Sequence, residues 1–429
     1  MNICIIGSGY VGLTSAAVLA DLGHSIICVD KDFNKIQALQ RGECPIYEPG
    51  LKELIYKNQK QLQFQQDISL AIQQSPVILI AVGTPSTPSG KTDLKYLYSV
   101  IDLLVPAIKS YKTIITKSTV PPGTNQHLYE MLIKNGVPSS LFNIVSNPEF
   151  LREGSAVQDM LIPDRTIIGI QKNDTKSLKV MQNIYKKINA PFLCTGLSEA
   201  EMIKSTANAF LATKISFINE IARICDAYHI DINEVAKGIG YDFRINPHFL
   251  QAGMGYGGSC FPKDLHSLIY TANDRQVTVP ILQAVQSINS TQIDLYVEKI
   301  KNTIKVPSSK KITVLGISFK PNTDDIRNSL AVELLEKLLP LGYNLHAYDP
   351  KASLPPHLNK QVTQHKELKS SITNSDCIIL ATEWDEFKKL NWQQVKQLMK
   401  GCTIVDGRNC IDKDEIEQYS LRYIGVGRS

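Results

Sequence analysis

The chain is predicted to be an α/β protein: two doubly wound parallel sheets joined by an all-helical segment built around one long helix. Three observations carry that prediction. Short apolar, β-rich runs alternate with helical stretches over residues 2–150; the same alternation resumes at Lys311; and between them, from about Ser198 to Tyr228, apolar residues recur at helical spacing. At 429 residues the chain exceeds one ordinary core, and 43% hydrophobic with 20% charged residues places it among globular proteins. We expect three domains, at residues 1–197, 198–304 and 305–429.

In chain order, strands are expected at Ile3 to Ile6, Ser25 to Val29, Val77 to Val82, Thr113 to Thr116 and Asn143 to Val145. On the long helix, Ile203, Ala207, Phe210, Leu211, Ile215, Ile218 and Ile221 are spaced for a buried face, and a second helical run spans Pro280 to about Ile304. Strands return at Ile312 to Leu315, Asn344 to Tyr348, Cys377 to Leu380 and Thr403 to Val405. The two ends look like distant copies: NICIIG, IICVD and VILIAVGTP have counterparts in KITVLG, LHAYD and CIILATEWD. After Gly316, however, ISFKPNTDD contains no GxGxxG, so the second copy is expected to bind something other than a dinucleotide.

Gly7, Gly9 and Gly12 form GxGxxG between a strand and a helix, with Tyr10 and Val11 opening that helix and Asp30 ending the next strand. Each glycine has a place in a dinucleotide site: a tight turn, close approach to the pyrophosphate, and packing of helix on strand. Asp30 would accept from the ribose hydroxyls and repel a 2′-phosphate, which favours NAD over NADP, although Lys31 follows it. Gly83, Thr84, Ser118 and Thr119 come just after strands, at the carboxyl edge where such sheets bind ligands.

The segment Gly255 to Asp264, GYGGSCFPKD, sets Cys260 between a glycine-rich turn and Lys263-Asp264. A thiol beside a hydride acceptor can capture an aldehyde, and the resulting acyl-enzyme releases a carboxylate to water. Glu149 and Glu153 in NPEFLREG offer a base for that water. Lys204 and Asn208, at i and i+4, share one helix face and could donate to an oxyanion. A cationic Lys204 would also favour the thiolate. Nine dispersed cysteines without CxxC, and eight histidines without HExxH, leave neither a disulfide framework nor a metal site to expect. A net charge of +5 spread along the chain argues against nucleic acid, no apolar run suits a membrane, and MNICIIG has no leader-like pattern, so a cytoplasmic protein is expected.

With these residues assembled, the chain resembles the nucleotide-sugar 6-dehydrogenases over nearly its full length. The resemblance rests on GSGYVG at 7–12, STVPPGT at 118–124, NPEFLREG at 147–154, KSTANAF at 204–210, GYGGSCFPKD at 255–264, FKPNTDDIR at 319–327 and DGRN at 406–409. It implies two Rossmann-like domains, the first for NAD and the last for UDP, with a central helical domain forming a homodimer. It also implies twofold oxidation of the C6 alcohol of UDP-glucose to a carboxylate. Carried over residue by residue, Cys260 is the nucleophile, Lys204 and Asn208 bind the C6 oxygen, Glu149 is the base for thioester hydrolysis, and Asp264 and Thr119 handle protons or a water. Phe150, Leu151, Phe249, Leu250, Tyr256, Gly257, Phe319, Lys320 and Arg408 match the sugar-nucleotide pocket, and Arg244 matches a residue supplied by the partner subunit. Glu153, Lys263 and Arg327 match cofactor-side positions. Relatives acting on UDP-N-acetylhexosamines carry a histidine where this chain has Ser259, which lowers those substrates; GDP-mannose stays open. A one-step hydroxyacid dehydrogenase would want a catalytic histidine, which these motifs lack. A mere NAD-binding sensor leaves Cys260, Lys204 and Glu149 unexplained.

Overall fold

The computed structural model describes residues 1–305 and 309–428. Residues 306–308, beside the expected domain boundary at 305, lie outside the described residues, as does 429. The chain divides into two compact units, residues 1–207 with 266–275, and residues 208–265 with 276–429.

The first unit holds an eight-stranded sheet of β1 (Asn2–Ile6), β2 (Ser25–Val29), β3 (Leu62–Gln65), β4 (Val77–Ile80), β5 (Lys112–Thr116), β6 (Phe142–Ser146), β7 (Thr166–Ile170) and β8 (Phe192–Gly196). Its order is β3-β2-β1-β4-β5-β6-β7-β8, parallel except where β6 meets β7. Both β4, a continuous apolar run, and β5 are buried along their whole length, as strands covered on both faces must be. The order reverses between β1 and β4, and it is at such a switch point that parallel sheets open a ligand crevice.

The second unit holds β9 (Lys311–Leu315), β10 (Asn344–Tyr348), β11 (Thr363–Gln364), β12 (Cys377–Leu380), β13 (Thr403–Asp406) and β14 (Arg422–Ile424), all parallel, in the order β11-β10-β9-β12-β13-β14. This repeats the first six positions of the N-terminal sheet, so the duplication read from the strand segments is architectural.

One helix, Leu197–Tyr228, runs unbroken for 32 residues. Its buried positions differ from the expected apolar stripe. Glu201, Lys204, Ser205, Asn208, Ala209, Ala212, Ser216, Asn219 and Ala222 are buried, together with Ile218, whereas Phe210 is 63% exposed. Small side chains permit close approach of neighbouring backbone, so this helix turns its small and polar residues inward. The run from Pro280 is two helices, Pro280–Ser290 and Gln292–Thr303, with Thr291 between them. From Ile218 onward the long helix packs into the core built on Ile312, Val314, Ile379 and Val405 of the second sheet. Among the described residues no helix is long and apolar enough to cross a membrane.

Candidate active site

The glycine loop after β1 shows why its residue types are needed. Gly7 has φ +104°, and a Cβ there would sit 2.7 Å from the Ala81 carbonyl oxygen. A Cβ on Gly12 would collide with the Gly7 carbonyl oxygen, so helix and turn close on each other only through glycine. At Gly9 a Cβ would meet no protein atom within 4 Å; it would instead fill the cradle at the start of the helix Tyr10–Asp21. That is the fit a pyrophosphate requires. Asp30 accepts from the Ser8 amide at 2.7 Å, the Ser8 hydroxyl at 2.8 Å and the Asp32 amide at 3.0 Å. Burial works against its ionisation, but these donors outweigh it and hold the carboxyl below its ordinary range. Lys31 places its ammonium 4.5 Å from the Tyr96 ring centroid.

Two loops at the same sheet edge are tied down by short bonds. The Ser118 hydroxyl donates to the Val82 carbonyl at 2.7 Å, and the Thr84 hydroxyl to the Thr119 carbonyl at 2.7 Å. The Tyr10 hydroxyl donates to Glu48, whose carboxylate also accepts from the amides of Gly154 at 2.6 Å and Ala156 at 2.7 Å. Glu48 therefore joins the glycine loop to the end of the segment carrying Glu149 and Glu153. Its position in a loop without a motif gave no signal of that role.

Glu149 is 6% exposed, accepts from the Leu151 amide at 2.6 Å, and pairs with Lys204 at 3.3 Å. Lys204 also lies 5.2 Å from the Phe150 ring centroid, and Arg165 stacks 4.0 Å from the same ring. Near them is Lys117, which sequence reasoning passed over. It is buried at the end of β5 and donates to Asn147 Oδ1 at 3.2 Å; burial lowers its pKa to about 8 despite the charge of Glu149. One turn before Lys204, Glu201 accepts from the Gly123 and Asn125 amides at 2.6 and 2.7 Å, and burial pushes its pKa up to about 7.

In the second unit Cys260 directly precedes the helix Phe261–Asp274, and its carbonyl accepts the Asp264 amide at 2.8 Å. The thiol is half-buried, with the Ser259 hydroxyl 3.5 Å away. A cysteine at a helix start lies where aligned amides favour its thiolate. Asp264 is 2% exposed; its two oxygens accept from Asn208 Nδ2 and Lys263 Nζ, each at 2.6 Å. Gly257 and Gly258 are packed against Asn328 and the Phe319 ring, so no side chain fits at either. Phe249, with φ +65°, and Tyr256 flank Phe261 at ring distances of 6.3 and 5.9 Å, with Leu250 buried. Arg408 donates to the carbonyls of Ala381, Gly255 and Phe319 at 2.7, 3.1 and 3.1 Å, which fastens the cysteine loop to the second sheet. Arg244 and Arg327 are exposed and each pairs with an aspartate two residues earlier, Asp242 and Asp325. Lys320 lies 6.0 Å from the Phe319 ring centroid.

The structure thus brings Glu149 together with Lys204, and Asn208 together with Asp264 and Lys263; Lys204 and Asn208 are one turn apart on the long helix. Among the described residues no group of three or more His, Cys, Asp or Glu is gathered as a metal site.

Comparison with known proteins agrees with this architecture. Three descriptions of the UDP-glucose/GDP-mannose dehydrogenase family match in order: the NAD binding domain over residues 1–189, the central domain over 198–291 and the UDP binding domain over 313–413. The chain is 54% identical, over the whole of both chains, to YtcA of Bacillus subtilis (strain 168), itself only provisionally assigned as a UDP-glucose 6-dehydrogenase. It is 40% identical to the UDP-glucose 6-dehydrogenase TuaD of the same organism, across all of this chain and 93% of that one. A UDP-glucose dehydrogenase from Pyrobaculum islandicum superposes with a TM-score of 0.91 at 32% identity, covering all of this chain and 98% of that structure.

Proposed function

The chain belongs to the UDP-glucose/GDP-mannose dehydrogenase family, with NAD as cofactor and a nucleotide sugar as substrate, and from that premise we propose that it oxidises the C6 alcohol of UDP-glucose twice, to UDP-glucuronate. The observation that carries this reading is the buried Glu149–Lys204 pair. Taking both charges out of water costs several kcal/mol per ion, and an apolar pair of similar volume commonly stabilises a fold as well or better. A buried charge pair at the ligand edge of a sheet is therefore better explained by chemistry than by stability.

In this reading residues 1–197 hold NAD, 198–304 form a dimer and 305–429 hold the UDP moiety. Gly9 and the helix after it receive the pyrophosphate, and Asp30 receives the adenosine ribose. Arg408, Lys320 and the partner's Arg244 hold the sugar nucleotide. NAD, when bound, accepts a hydride from C6 in each of two rounds. Asn208, whose amide is oriented by Asp264, and Lys204 donate to the C6 oxygen. Asp264 and Thr119 steer the alcohol proton toward water. The Cys260 thiolate then adds to the aldehyde carbon as a thiohemiacetal, and loss of the second hydride leaves a thioester. Glu149 takes a proton from the attacking water; the C–S bond breaks, Cys260 regains its thiol proton, and the carboxylate is released. Cys260→Ala is expected to abolish acid production, which product analysis by anion exchange would check.

A second copy of the chain is proposed to cover the long helix. Phe210, Phe217 and Ile224, seven residues apart, are 63%, 48% and 51% exposed and make an apolar stripe on one helix face. Sedimentation velocity of Phe217→Glu beside the unmodified protein tests this, and monomers in both would refute it. The names of the relatives and Ser259 before the nucleophile support UDP-glucose over its alternatives. Initial rates with NAD and UDP-glucose, GDP-mannose or a UDP-N-acetylhexosamine test the choice. UDP-glucose is expected to lead by ~100-fold in kcat/KM, a margin that lost hydrogen bonds supply readily; a faster rate with either rival overturns it.

A further inference from the structure

We propose that Lys117 is a positioning residue for Glu149, holding the Asn147-Pro148-Glu149 turn through Asn147 and adding a positive charge in the neighbourhood of the Glu149 carboxylate. The inference rests on the reading of Glu149 as the base for hydrolysis. Lys117 is 6% exposed and directly follows β5. Its ammonium donates to Asn147 Oδ1 at 3.2 Å, and the Tyr185 hydroxyl, 3.5 Å from that ammonium, donates to the same oxygen at 2.6 Å. Two further groups of Asn147 are engaged: its amide donates to the Thr116 carbonyl at 2.9 Å and its Nδ2 to the Ile167 carbonyl at 2.8 Å. Asn147 is thereby pinned between β5, β6 and β7, two residues before Glu149.

Packing alone does not account for a lysine here. An ammonium buried without a carboxylate in direct contact is costly, and a methionine would fill the same space without that cost. What the charge supplies is an electrostatic partner for Glu149, with which it interacts attractively across the turn. Lys204 from the long helix pairs with Glu149 and Lys117 from the end of β5 acts on it through its charge, while Tyr185, after the helix Thr175–Ile184, lies against Lys117 and Asn147, and Arg165 stacks on the Phe150 ring. Lys204 is also assigned to the C6 oxygen, so its ammonium has a second demand on it once substrate binds. Lys117 has no such demand, and with a pKa of about 8 it carries its charge below that pH.

The test is a ¹³C NMR titration of glutamate-labelled protein, with the Glu149 carboxyl resonance identified by its loss in Glu149→Gln. Removing the charge in Lys117→Met is expected to raise the Glu149 midpoint by about one pH unit. Lys117→Arg should restore the wild-type midpoint. Lys117→Gln, which keeps a donor for Asn147 without the charge, should behave as Lys117→Met does and replaces it if that variant does not fold. In turnover, the acid limb of the kcat–pH profile should move with the midpoint while NAD affinity stays unchanged. An unmoved midpoint in a folded neutral variant overturns the proposal. A protein that shows the shift by NMR yet turns over no nucleotide sugar would refute the assigned reaction and leave the Lys117–Glu149 coupling standing.

Discussion

The two sheets repeat one design, and they differ most where the first would meet its ligand. Gly7 and Gly316 both follow a first strand with positive φ, +104° and +98°. Asp30 and Asp349 both follow the second strand and both accept a serine amide and hydroxyl, from Ser8 and Ser318. In the first copy the carboxylate is half-buried and the next glycines keep the helix start bare. In the second, Asp349 is 7% exposed and also takes the Ile317 amide at 2.7 Å and the Trp384 indole N–H at 3.3 Å. Trp384 stands at the sequence position that Thr84 holds in the first copy, by alignment of CIILATEW with VILIAVGT. A half-buried carboxylate at the switch point of one copy is a fully engaged structural acceptor in the other. The lesson is that the strand framework was kept while the cradle was given up, which frees the second copy for a different ligand.

The sharpest break of this comparison is Gly12→Val. Its side chain would drive the helix off the Gly7 turn, so NAD affinity measured calorimetrically should fall by more than ~100-fold while hydrogen exchange in residues 311–428 is unchanged. Trp384→Ala attacks the second copy instead. It should cost that unit about 3–5 kcal/mol in urea unfolding, as large buried aromatics do, and confer no NAD binding. Asp30→Asn probes cofactor choice, and should raise the NADP-to-NAD ratio of kcat/KM by about tenfold in initial-rate assays.

The smallest effect is one of pH. His346 and His365 meet at 2.8 Å on the β10–β11 edge, where burial, assisted by the charge of Lys311, lowers both pKa values, that of His346 to about 4. Because the folded values lie below the unfolded one, an opened edge binds protons more readily. The edge's stability is complete above pH 6.5 and is lost as pH falls toward 4. Hydrogen exchange, corrected for its intrinsic rate, should show β10–β11 losing protection over that window faster than the matching β2–β3 edge. Equal loss would contradict the assignment.

Much of this was legible before the coordinates. The alternating strand runs, the glycine loop and the likeness of the two ends all survived because apolar period and glycine placement are local properties. Strands β3, β7, β8, β11 and β14 escaped notice, and of these β3, β11 and β14 are only two to four residues long. The long helix misled in a different way: its large apolar residues, Phe210 among them, suggested a core face, whereas the inward face carries Lys204, Asn208 and small residues. Periodicity finds a face but does not say what covers it. Lys117 and Glu48 were invisible because their partners, Asn147 and Gly154, are brought to them only by the sheet.

The central claim is a four-electron oxidation, and counting NADH formed per UDP-glucose consumed, with limiting sugar and excess NAD, tests it most directly. The account expects two NADH per sugar with UDP-glucuronate recovered. One NADH per sugar, with the reaction stopping at the aldehyde, would contradict it.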